Sequence, residues 1–259
     1  MVSSIIEKAQ QLVIQYNRPR IFKIESNKRI LVLAPHPDDE VIGAGGSIIK
    51  HRKKDNFVHV GFITDGRNGR LKSSNMDDTI TIRRNETAIV CEFLDVEYSW
   101  LNAPDGEFFP EDIYIKKIQQ LILDVKPDYI YIPHYRDKHR DHFFTNLLLY
   151  LSCSDETFRE EAILENIEIL AYEVWSPLNP NVFVNITEEY KYKELAMKKY
   201  TSQIALIPYE RIMSGINKYR VSLFPLHSTL YVEAFYHCDC INYCSEFKQY
   251  VDRKWRDLL

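Results

Sequence analysis

Several scarcities narrow the class of this 259-residue chain. No apolar run approaches the ~18 residues that suggest a membrane span, so no membrane association is expected. Charge of one sign is not in excess: the net charge is −4, with both signs mixed along the chain. That gives no electrostatic footprint for nucleic acid or an anionic lipid surface. Cysteine is sparse, odd in number at five, and scattered. Such usage argues against a disulfide framework and fits reduced thiols in a cytoplasmic protein. There is no Pro-, Gly- or Ser-rich linker, no repeat and no low-complexity tract. One domain spanning 1–259 is therefore expected, with a less regular C-terminal elaboration from about residue 155.

The first twenty residues, "MVSSIIEKAQQLVIQYNRPR", lack the apolar core of a signal peptide, because Glu7, Lys8, Gln10 and Gln11 interrupt it. Ile5, Ile6, Ala9, Leu12, Val13 and Tyr16 fall instead at helical spacing, which predicts an amphipathic helix packed on the domain.

What the chain does have is alternation. Apolar strand-like runs at 29–34, 57–64, 96–101 and 128–133 are separated by helical patterns at 41–53, 81–95 and 112–126, and a further helix follows at 142–152. In 81–95 the apolar positions include Ile82, Ala88, Ile89, Cys91 and Phe93. The alternation predicts an α/β fold: a Rossmann-like, doubly wound, mostly parallel sheet of order 3-2-1-4 plus further strands, with helices on both faces. In such a sheet ligands bind beyond the carboxyl ends of the strands, at the switch point between the first and fourth strands. Later runs at 167–175, 182–186 and 229–235 read as strands, and 241–255 as a last helix. Thr187 is placed to cap the helix that follows it.

Two loops should meet at that switch point. The loop after the first strand holds His36, Asp38, Asp39 and Glu40, in "APHPDDE". The loop after the fourth, "PHYRDKHRDH", holds His134, Asp137, His139, Asp141 and His142. Two histidines and one carboxylate make a catalytic zinc site with an open fourth position. Spare carboxylates can serve as a general base or support the ligand imidazoles. Gly43, Ala44, Gly45 and Gly46 do not make a dinucleotide fingerprint, because carboxylates fill the turn and would repel a pyrophosphate. They let the helix sit close to the sheet instead.

"APHPDDE" together with "HRDH" resembles the paired motifs of the PIG-L/LmbE family of zinc-dependent N-deacetylases. "FITDG", "RRNETAIVCEFLDV", "LNAPDG", "YEVWSP", "YTSQ" and "YVEAF" are similar to further family segments. The resemblance implies one zinc ion held by His36, Asp39 and His142. It implies Asp38 as general base, His139 as the donor to the developing oxyanion, and Asp141 as the residue that orients a histidine. It also implies a zinc-dependent hydrolase that removes acetyl from an N-acetylglucosamine-like sugar or conjugate. Arg67, after the second strand, and Asp105, after the third, are candidate substrate contacts. A two-ion phosphoesterase and a sugar-binding module are the alternatives; retained Asp38 and His139 argue against the module. A homo-oligomer is compatible with the sequence. "HCDCINYC" offers His237, Cys238, Cys240 and Cys244 as soft ligands, but the spacing is not that of a zinc knuckle, and buried thiols are the expectation.

Overall fold

The computed structural model describes residues 4–6, 19–69, 75–224 and 228–258. Of the N-terminal stretch expected to form an amphipathic helix, residues 4–6 are described and helical, residues 19–20 are described and not helical, and the rest lies outside the described residues. Among those described, no helix is long and apolar enough to cross a membrane.

The elements are β1 (Arg20–Ile21), β2 (Arg29–Ala34), α1 (Asp39–Arg52), β3 (Phe57–Thr64), α2 (Met76–Leu94), β4 (Glu97–Ala103), α3 (Asp112–Val125), β5 (Tyr129–Pro133), α4 (Arg140–Cys153), α5 (Glu156–Ala162), β6 (Glu168–Tyr172), β7 (Val182–Asn185), α6 (Tyr190–Met197), α7 (Thr201–Ile204), α8 (Tyr209–Val221), β8 (Val232–Asp239) and α9 (Cys240–Leu258). One eight-stranded sheet runs in the order β1-β7-β8-β6-β5-β2-β3-β4. Its half β4-β3-β2-β5 is the predicted 3-2-1-4 arrangement, and every pair in it is parallel. β8 is the exception to parallel order, lying antiparallel between β6 and β7.

Strand β2 shows why the sheet is double-sided. Ile30, Val32 and Ala34 belong to one core, with Val41, Ala44 and Ile48 of α1 and Val90 of α2. Leu31 and Leu33 belong to the other, with Ile118 and Ile122 of α3 and Leu148 of α4. An all-apolar run is what a strand covered on both faces requires. Each such Val, Leu or Ile side chain contributes about 1.5–3 kcal/mol through burial.

The small residues of α1 do permit close packing. A Cβ on Gly43 would fall 2.1 Å from the Tyr172 ring, and one on Gly46 would fall 2.6 Å from Ile186. The middle of α1 is also clasped by a buried ion pair from the C-terminal half. Lys193 Nζ donates to Glu233 Oε1 (2.7 Å), to Asn217 Oδ1 (3.0 Å) and to the Ile42 carbonyl (2.9 Å). Glu233 in turn accepts from the Gly46 and Ser47 amides, both at 2.8 Å, and from the Ser47 hydroxyl.

Three local expectations shift. Helix α2 begins earlier, at Met76, because the Asn75 side chain caps it by accepting from the Asp78 amide. Its Ile82, Ile89 and Phe93 are exposed, while Arg83, Glu86 and Thr87 face inward with Val90, Cys91 and Leu94. Thr187 is not a helix cap: α6 starts at Tyr190, and the Thr187 hydroxyl accepts from the Leu230 amide. The last strand runs Val232–Asp239 rather than 229–235.

Candidate active site

β2 and β5 are adjacent and parallel, so the loops that follow them emerge side by side at the switch point. His36 and Asp38 lie in the turn between β2 and α1, and Asp39 and Glu40 open α1. His139 is the N-cap of α4, and Asp141 and His142 lie in its first turn. The turn is made by Asp38 at φ 119°, a backbone conformation that an L side chain adopts only when its surroundings hold it. Here they do. The Asp38 amide donates to Glu40 Oε2 (2.9 Å), and Glu40 is itself fixed by the Tyr200 hydroxyl (2.6 Å). From the other side Arg83 donates to the Pro37 carbonyl and reaches Asp38 Oδ2 at 3.4 Å. Burial pushes the Glu40 carboxyl up to about 8.

His36 Nδ1 lies 3.0 Å from Asp39 Oδ2, and His142 Nε2 lies 3.2 Å from the same oxygen. Donors around a tetrahedral zinc at about 2.0–2.1 Å are separated by roughly 3.3 Å. Both ring nitrogens of His142 are buried without an aligned hydrogen bond, although Asp39 and Asp137 Oδ1 stand 3.2 and 3.4 Å away. A buried nitrogen left unpaired is costly, and a cation at Nε2 would relieve it. The far nitrogens of both imidazoles face carboxylates: His36 Nε2 is 3.3 Å from Asp141 Oδ2 and from Asp105 Oδ1, and His142 Nδ1 faces Asp137. Such outer carboxylates fix the tautomer of metal-ligating histidines. The donor set therefore fits zinc. Donors also converge within 4.8 Å in the group His36, His139 and His142, and in the group His36, Asp105 and Asp141. There the Gly106 amide already occupies Asp141 Oδ2, and the Asn68 amide occupies Asp105 Oδ2.

Electrostatics separate the adjacent carboxylates. Burial pushes Asp38 up to about 7, against the pull of Arg83 and with a further push from Asp39. Burial also pushes Asp39 up, but His142 and His36 outweigh it and hold the carboxyl well below its ordinary range. The two neighbouring carboxylates are thus pushed to opposite sides of the ordinary carboxylate range. Burial raises Asp105 as well, yet the bond to His36 and the neighbouring cations keep it at about 2. His139 Nδ1 accepts from the Asp141 amide at 3.2 Å, so Nε2 carries the ring proton. Burial, followed by the charges of His36 and His142, lowers its pKa. Its ring lies 4.7 Å from His36 and 4.8 Å from His142, and stacks on Trp175 at 6.2 Å.

His36, Asp38, Asp39, Asp105 and His139 line a cleft of about 240 Å³, together with Trp175, Gln203 and Tyr209. Arg67 is not among the lining residues; its guanidinium is turned onto Asp65, with Nε 2.8 Å from Oδ2. Three contributors had no assigned role from the sequence. Asp137 Oδ1 accepts the His139 amide (3.0 Å), and Oδ2 accepts the amides of Trp175 (2.8 Å) and Ser176 (3.1 Å). Its place in the loop two residues before His139 was the available signal. Arg83 buttresses Asp38, and Glu86, one turn on, accepts from the Ser202 amide and hydroxyl beside Gln203. The Arg-x-x-Glu spacing was the signal for that pair.

Residues 31–152 match the family described as "PIG-L: GlcNAc-PI de-N-acetylase". A probable N-acetyl-alpha-D-glucosaminyl L-malate deacetylase 2 of Bacillus subtilis is 34% identical over 110 residues, which cover 40% of this chain and 50% of that protein. The chain thus spans half the length of that relative. Among solved structures, the N,N'-diacetylchitobiose deacetylase of Pyrococcus horikoshii superposes with a TM-score of 0.72 at 23% identity, covering 94% of this chain and 95% of the other. The 4-carboxy-2-hydroxymuconate hydratase GalB of Pseudomonas putida gives 0.66 at 20% identity, covering 83% and 96%. These likenesses establish the fold, and the hydratase shows that the fold hosts more than one reaction. Both halves of the paired motif lie inside the segment that matches the PIG-L family, and they converge on one centre.

Proposed function

We propose that this chain is a zinc-dependent hydrolase that removes acetyl from an N-acetylated amino sugar or sugar conjugate, releasing acetate and a free amine. The observation that carries the reading is the convergence of His36 Nδ1, Asp39 Oδ2 and His142 Nε2 beside a second, separately tuned carboxylate. When bound there, one zinc ion supplies Lewis acidity and makes water much easier to ionise at neutral pH.

The chain's own groups do the rest. Asp38, near neutrality, takes a proton from the attacking water. His139 Nε2–H donates to the oxygen of the tetrahedral species, a contact typically worth about 3 kcal/mol. Asp141 and Asp105 hold His36 through its outer nitrogen, and Asp137 faces that of His142. The proton gained by Asp38 is then delivered to the leaving nitrogen, which balances the hydrolysis. Trp175 and Tyr209 offer apolar faces for a pyranose ring, and Asp105 an acceptor for its hydroxyls. Arg67 reaches substrate only by releasing Asp65. The reading also places the chain in the cytoplasm, acting as one unit on a small molecule rather than on nucleic acid.

The test is acetate release from a panel of N-acetylglucosamine conjugates, with metal analysis on the same sample. One zinc per chain with release from at least one conjugate supports the reading. Turnover of phosphate esters with two ions per chain would favour the phosphoesterase instead. His142→Ala should remove most of the bound zinc.

A further inference from the structure

The sequence segment "HCDCINYC" is not used by the catalytic centre. Its sulfurs are not arranged as the sequence order suggests. Cys240 opens α9 and Cys244 lies one turn later on the same face, while the third partner is Cys153, the last residue of α4. The three Sγ atoms lie within 4.8 Å of one another. Cys153 and Cys240 are 3.8 Å apart. None of the three is in a disulfide.

We propose that Cys153, Cys240 and Cys244 form a second metal site, which takes one thiophilic divalent ion of the zinc type. Zinc–sulfur bonds of about 2.3 Å in a tetrahedral shell set the sulfurs roughly 3.8 Å apart. Cys153 and Cys240 already have that spacing, and Cys244 Sγ lies within 4.8 Å of both. Thiolates are the soft donors that select such ions over magnesium or calcium.

The surroundings suit a cation. Cys244 is only partly buried, and its neighbour Ile241 lines a cleft of about 240 Å³ with Glu156, Glu160 and Arg159. The glutamates provide an approach for a cation. The Arg159 guanidinium brings a positive charge to the same cleft. Three thiolates and a divalent ion sum to one negative charge, which Arg159 offsets. Binding releases the thiol protons to solvent, and a water would complete the fourth position. The ion would tie the end of α4 to the start of α9.

Cadmium titration of the full-length chain, reduced with a phosphine, tests this. Two equivalents should bind, and one should produce an ultraviolet sulfur-to-cadmium charge-transfer band, which the histidine–carboxylate centre cannot give. Cys240→Ser/Cys244→Ser should lose the band and one equivalent while acetate release is unchanged. Cys244→Ser alone, the milder change, should weaken the band-forming affinity at least tenfold. A single equivalent without a band, or a band that survives in the double variant, would overturn the proposal.

Discussion

Asp137 faces the outer nitrogen of His142 at 3.4 Å and receives three backbone amides, from His139, Trp175 and Ser176. Asparagine at this position keeps the shape but replaces one acceptor oxygen by a donor. If its oxygen serves Trp175 and Ser176, its NH2 group confronts His142 Nδ1. The imidazole then gains by accepting there and moving its proton to Nε2, the atom directed at Asp39. That tautomer cannot ligate a metal. Loss of such an outer carboxylate typically costs 10–100-fold in metal affinity, which corresponds to about 1.4–2.7 kcal/mol. Zinc affinity of Asp137→Asn, measured by competition with a chromophoric chelator, should fall within that range. Folding stability of the metal-free chain should fall by about 1–3 kcal/mol, because a buried amide loses its acceptor. A variant that binds zinc within twofold of the parent, yet unfolds more easily, would show that Asp137 only ties down the loop and would refute the tautomer reasoning.

Asp38→Asn should retain zinc and lose turnover by about 10²–10⁴-fold, the usual contribution of a general base; near-normal acetate release would exclude that role. His139→Ala should lower kcat by about 10²–10³-fold with little change in KM, and an effect confined to KM would make it a substrate contact. His51 is fully buried. Its Nδ1 accepts from Asn56 (2.8 Å) and its Nε2 meets the Tyr131 hydroxyl (2.9 Å). Burial lowers its pKa to about 3, so the unfolded chain binds this proton first. Its contribution to stability is complete above about pH 6.5 and is lost as pH falls toward 3, with about 2 kcal/mol gone at pH 5. Denaturant titrations of the parent and His51→Gln should differ in pH slope by nearly one proton near pH 5, and identical slopes would contradict the assignment.

The paired loops were legible because two periodicities, strand and helix, placed them at one switch point before any side-chain chemistry was weighed. Asp137 was visible as a carboxylate, but its role depends on the Trp175–Ser176 backbone reached only through β6, and no local pattern reports that. Helix α2 misled for a different reason. Its apolar residues mark the solvent side at Ile82, Ile89 and Phe93, because Arg83 and Glu86 turn inward to hold Asp38 and the Ser202–Gln203 segment. Periodicity assumes that the inward face is greasy, and a helix that serves a polar centre breaks that assumption. The sulfur triad was half legible: Cys240 and Cys244 are one helical turn apart, whereas Cys153 joins them only through the packing of α4 against α9.

The clasp formed by Lys193 and Glu233 has a consequence for how the chain matures. The catalytic turn heads α1, yet the groups that grip the middle of α1 are synthesised some 150–190 residues later. A nascent chain halted before β8 holds every residue of the paired motifs but lacks the carboxylate that receives the Gly46 and Ser47 amides, so α1 is gripped only once β8 has been made.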